Sequence, residues 1–194
     1  MLEKSLSLLD QVKNTPELST KQSLQWYTKN VTQPAKGMSV QKFLSDNSKS
    51  QATSIYPGQL ISFIYSAKTA ESLKWWDSAP LVLPFETSPT HFTGLNLHYL
   101  DYRGRMVLLD KLMTFSNDDR LTPKARMKIS WNLLKSASNF PGAQHCVKQY
   151  IFSHVKSKFI VIPPEAWRYV IHLPLAKFNK ATQERVWQDT RSRK

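Results

Sequence analysis

The stretch Asn96-Leu97-His98-Tyr99, followed closely by Arg103 and Arg105, gathers a carboxamide, an imidazole and two guanidinium groups at the end of an apolar run. Two kinds of chemistry suit that set. The groups could contact an anionic ligand directly, or Asn96 and His98 could hydrogen-bond the backbone of a corner while Arg103 and Arg105 carry outward charge. Polar groups at the edge of a core usually serve the backbone, so the corner is the expectation. A second set, His145-Cys146 with His154, offers three metal-binding atoms. It lacks a fourth ligand and the paired spacing of zinc sites. Cys146, beside Val147 and Tyr150, reads as a small core residue.

Other catalytic signatures are missing. No Asp or Glu has a Lys two positions later, the arrangement by which many metal nucleases place water activation beside metal binding. The five glycines form neither GxxxxGK[ST] nor GxGxxG. The commonest nuclease signature and the nucleotide-hydrolysis loops are thus both missing, and no metal or other cofactor is expected.

The elements that must position these residues follow from periodicity. Residues 59–66, 80–86 and 92–100 read as strands, the last two paired antiparallel through Ser88-Pro89-Thr90, and 158–163 as a fourth. Met106, Leu109 and Met113 recur at helical spacing. Thr122 and Pro123 suit the cap and first position of another helix, with Lys124, Lys128 and Lys135 on one stripe. Residues 142–155 are predicted as a helix, as are 164–173 and most of the tail. Residues 1–56 read as a helical extension and polar linker, and 57–194 as the core. The class is α+β, a small antiparallel sheet or SH3-like barrel packed by basic amphipathic helices. Trp75 and Trp76, adjacent in a connection, either plug the end of the barrel or offer a stacking surface.

Charge narrows the choice of partner. Lys and Arg number 27 against 14 Asp and Glu, a net charge of +13. Residues 1–50, 51–100 and 101–194 carry balances of +3, −1 and +11. Basicity concentrated in the second half points to a polyanion. Glu3 and Asp10 interrupt any secretory segment, and one cysteine allows no internal disulfide, so a reducing cytoplasm is expected for synthesis.

The ordered segments IYPGQLISFIYSAKT, LKWWDSAPLVLPFE, FTGLNLHYLDYRGRMVLLDKLM, ARMKISWNLLKSAS, HCVKQYIFSHVKSKFIVIPPEAW and LAKFNKATQERVWQDT resemble the DNA end protector, or head completion, family of T4-like tailed bacteriophages. GLNLHYL is the most distinctive part. The resemblance covers about residues 56–190 and implies a non-enzymatic virion protein that binds the ends of packaged linear double-stranded DNA and shields them from host exonuclease. The DNA-binding residues expected are Arg103, Arg105, Lys124, Lys128, Lys135, Lys148, Lys156 and Lys158, with Trp75, Trp76, Tyr99 or Tyr102 stacking on the end. The alternative is an assembly component of the phage neck, tail or baseplate, docking on portal, neck or tail proteins.

Overall fold

The computed structural model describes residues 51–116, 144–163 and 166–192. Within them the apolar runs form strands β1 (Gln51–Ala52), β2 (Leu60–Ser62), β3 (Trp76–Asp77), β4 (Leu81–Thr87), β5 (His91–Asn96), β6 (Val147–Ile151), β7 (Phe159–Ile162) and β8 (Phe178–Asn179). Six form one antiparallel sheet in the order β1-β7-β2-β4-β5-β6, and β3 pairs with β8 separately. Helices α1 (Tyr102–Ser116), α2 (Trp167–Val170) and α3 (Gln183–Ser192) complete an α+β fold, the class read from the sequence.

Strands β2, β4, β5 and β7 bury most of both faces, and alternation decides which side chain goes where. Leu60, Leu81, Leu83, Leu95, Ile160 and Ile162 point to a core shared with Met106 and Leu109 of α1, Trp167 and Val170 of α2, and Val186 of α3. Their neighbours Ile61, Val82, Phe92 and Phe159 point to the opposite face, where Phe63, Tyr65 and Tyr150 join them. In a flat sheet β7 and β5, three strand spacings apart, would lie about 14 Å from each other. The rings of Phe159 and Phe92 are 6.0 Å apart. The sheet therefore curls around its aromatic face, with Phe63 in edge contact with Tyr65, Phe92, Tyr150 and Phe159.

Local chemistry sets the boundaries. Asp101 Oδ1 accepts from the Gly104 amide at 2.8 Å and caps the start of α1. Glu184 in the first turn of α3 and Arg191 in the last suit the helix dipole. Pro84, which cannot donate to a neighbour, sits where the β4–β5 register shifts, the kind of place a strand tolerates proline. Opposite it, Gly94 lies so close to β4 that a Cβ would stand 2.5 Å from Val82 Cγ1 and 2.7 Å from the Leu83 carbonyl oxygen.

Three expectations are corrected. Residues 144–155 are not helical: a short 3-10 turn, Gln144–Cys146, leads into β6, and another, Phe152–His154, leaves it. Val147 and Ile151 lie one helical turn apart in sequence, but pairing with the free edge of β5 satisfies the backbone and puts Tyr150 in the aromatic core. Residues 97–99 leave the strand as a 3-10 turn. The sheet also reaches ahead of Pro57, since β1 pairs with β7 and Ile55 is buried.

Gly94→Ala is expected to destabilise the fold by about 1–3 kcal/mol, because the added methyl meets backbone that cannot step aside. Urea denaturation of the variant beside the parent measures this, and an unchanged midpoint would contradict the close approach of β4 and β5.

Candidate nucleic-acid interface

The corner after β5 is built on one carboxylate. Asp77, 3% exposed, accepts from His98 Nδ1 at 2.6 Å, the Ala79 amide at 3.0 Å, the Lys177 amide at 3.1 Å and Asn96 Nδ2 at 3.3 Å. Asn96 caps the turn through its Oδ1, which accepts the His98 amide, and its Nδ2 also donates to the Tyr150 hydroxyl. Burial works against the Asp77 charge, but the His98 ring and the amides of Ala79 and Lys177 outweigh it and hold the carboxyl below its ordinary value. For His98 burial dominates over the attraction of Asp77 and lowers its pKa, with Arg105 acting in the same direction. The ring is therefore neutral and donates from Nδ1. Its Nε2 is buried without a hydrogen-bond partner among the described residues, so a second ring proton would have no acceptor there.

Arg105 locks the other side of the corner. It is fully buried, and its guanidinium donates to the carbonyls of Ile171 at 2.6 Å, Leu100 at 2.9 Å and His98 at 3.3 Å. Trp187 Nε1 reaches the same His98 carbonyl at 2.9 Å. The charge lies 5.0 Å from the Tyr102 ring centre and 5.6 Å from that of Trp187. Burial pulls its pKa down to about 10, which leaves it charged at neutral pH. Arg105 is thus a structural cation, and its expected role as an outward DNA contact is corrected. A helical spacing of two from exposed Arg103 turns it to the opposite side of α1, into the core.

Beside the corner lies a groove of about 320 Å³ whose walls include Lys68, Trp75, Trp76, Tyr99 and Lys148. Both tryptophans are half-buried. Trp75 packs on the main core on one side, with the Lys74 ammonium 4.2 Å from its ring centre. The Lys148 ammonium stands 4.3 Å over Tyr99. The loop that carries the tryptophans is tied to the C-terminal segment twice. Lys74 pairs with Asp189 at 2.8 Å. Lys180, whose φ is +66°, donates to the carbonyls of Ala70, Glu71 and Leu73 at 2.8, 2.9 and 3.2 Å.

The residues expected to bind DNA are thus dispersed. Trp75, Trp76 and Lys148 meet at the groove, Arg103 is exposed on α1, and Lys156 and Lys158 are exposed around β7. Lys124, Lys128 and Lys135 lie outside the described residues. Cys146 is buried and its thiol pushed up to about 12 by burial, and among the described residues no three His, Cys, Asp or Glu are grouped to hold a metal ion. Sequence reasoning missed Lys68, Lys180 and Asp77. Asp77 had a signal: Asp-Ser-Ala before a strand suits an Asx turn, here closed by the Ala79 amide.

The family model of the phage T4 terminal DNA protecting protein matches residues 3–190. The chain belongs to this family. No curated protein and no solved structure matches it. For a phage DNA-protecting protein the groove is informative in its composition, since cationic and aromatic side chains together suit a nucleic-acid end. No helix among the described residues is long and apolar enough to cross a membrane.

Arg105→Ala is expected to cost about 3 kcal/mol or more of folding stability, because it strips buried carbonyls of their donors at roughly 1–3 kcal/mol each. Arg103→Ala should stay within about 0.5 kcal/mol of the parent. Equal melting temperatures for the two variants would refute the buried clamp.

Acid should weaken the fold through its histidines. The unfolded chain takes up protons on His98 and His172 near their ordinary 6.5, whereas burial lowers both in the folded state, His172 to about 4. Stability therefore falls as pH drops below about 6.5, by up to roughly 1.4 kcal/mol per pH unit for each histidine. Asp77, held below its ordinary 3.8, adds a further loss at more acidic pH. Urea midpoints measured from neutrality down to about pH 4.5 test the sign, and a midpoint that rises on acidification would reverse the assigned protonation states.

Proposed function

We propose that this protein binds the ends of linear double-stranded DNA in the phage head, shields them from host exonuclease and so acts in head completion, where it meets portal, neck or tail proteins. Family membership across residues 3–190 supports the end-protecting role. The observation that carries it to particular residues is the convergence of Trp75, Trp76 and Tyr99 with Lys68 and Lys148 in one groove. Affinity comes from phosphate contacts, which read no sequence and release counterions. Preference for an end comes from the aromatic rings, because only a terminal base exposes a face for stacking. Arg103, Lys156 and Lys158 are further exposed cations away from the groove.

The test is protection of linear duplex from a double-strand exonuclease, read beside melting curves. Trp75→Ala or Trp76→Ala should cost about 1–3 kcal/mol of affinity for an open end, the range of base–aromatic stacking. Lys68→Ala with Lys148→Ala should reduce the magnitude of the logarithmic salt slope by about 2, roughly one per phosphate. Loss of protection only in proportion to loss of folded protein would assign these residues to the core alone.

A further inference from the structure

The groove is concave, and that shape bears on which part of a DNA end it takes. A blunt end presents the flat face of a whole base pair, which calls for an open platform. Here the two tryptophans are half-buried and the space between the walls is about 320 Å³, at the lower end of the roughly 300–1,000 Å³ typical of small-ligand pockets. A base and its sugar fit in a walled space of that size.

The charges set an orientation. Asp77, an anion, forms part of the inner wall, is almost wholly covered and is engaged by four donors. Lys68 and Lys148 supply the cations of the same groove. A phosphate is repelled from the Asp77 side and held by the ammonium groups, so the base enters. Tyr99 also lines the groove with its hydroxyl protonated, as for any tyrosine at neutral pH, and burial first, then the nearby Asp77 charge, raises its pKa further. A protonated hydroxyl can donate to the carbonyl or ring nitrogen of a base edge. The loop bearing the tryptophans is fixed in advance by Lys180 and by the Lys74–Asp189 pair, so no ordering of that wall has to accompany binding.

We propose that the groove holds a single unpaired terminal nucleotide, base inward against Trp75 and Trp76 and phosphate toward Lys68 and Lys148. This rests on the end-binding reading and adds to it a preference: a frayed or overhanging end binds better than a blunt one, because a paired terminal base must first be separated from its partner.

Anisotropy titrations with labelled duplexes of one sequence decide this, using ends closed by hairpins, blunt ends and ends with a one-nucleotide overhang. The expected order is overhang tighter than blunt by roughly tenfold, a factor within reach of one base–aromatic stack, and blunt tighter than closed. Trp76→Ala should abolish the advantage of the overhang, while Trp76→Phe, which keeps a ring, should retain part of it. Blunt and overhanging ends bound equally, but both above closed ends, would overturn the single-nucleotide groove and leave end binding intact. Closed and open duplexes bound alike would overturn end binding itself. An overhang advantage that survives in a folded Trp76→Ala and a folded Trp75→Ala would place the nucleotide elsewhere.

Discussion

One carboxylate, removed from water, holds the described fold together around the strand-to-helix corner. A buried charge without partners is too costly to keep, and Asp77 meets that cost with donors from four places: the His98 ring, the Asn96 amide group, and the backbone at Ala79 and Lys177. Those donors belong to the end of β5, the turn that follows it, the entry to β4 and the approach to β8. Ordering the carboxylate therefore orders all of them. Because β3 carries both Asp77 and Trp76, the same constraint fixes where a groove wall stands.

Cationic side chains in this basic protein serve two different purposes. Arg105 and Lys180 each spend their charge on main-chain carbonyls, one inside the core and one at a loop, and Lys74 is paired with Asp189. A planar guanidinium suits three diverging carbonyls in a confined space, and a compact ammonium suits a loop whose carbonyls converge on a point. What remains for a polyanion are residues such as Arg103, Lys68, Lys156 and Lys158, together with the unmatched excess in the sequence. Net charge therefore overstates the number of phosphate contacts available.

The neutral His98 sits between Asp77 and Arg105, two buried groups of opposite charge. Its ring donates to the acid while its carbonyl accepts from Arg105 and Trp187, so it links the sheet to α1 and α3 without carrying charge itself. Adding a proton would place a second cation beside Arg105 in a buried site. The same connection that stiffens the corner thus makes it sensitive to acid.

By itself the sequence determined the α+β class, the β4–β5 hairpin, the strand near 159–162, the corner after Asn96 and the family, because each depends on local periodicity, turn chemistry or ordered motifs. The polar character of Asn96 and His98 next to apolar neighbours was legible for the same reason. Tertiary structure decided the rest. Residues 147–151 fit either a helix or a strand by spacing, and the open edge of β5 selected the strand. Arg103 and Arg105 are alike in sequence, yet α1 turns one outward and packs the other against the turn after α2 and against α3, which only the positions of the Ile171 carbonyl and Trp187 reveal. Asp77 is separated from Asn96 and His98 by about twenty residues and from Lys177 by a hundred. No short-range pattern can join groups that meet only when the chain closes on itself.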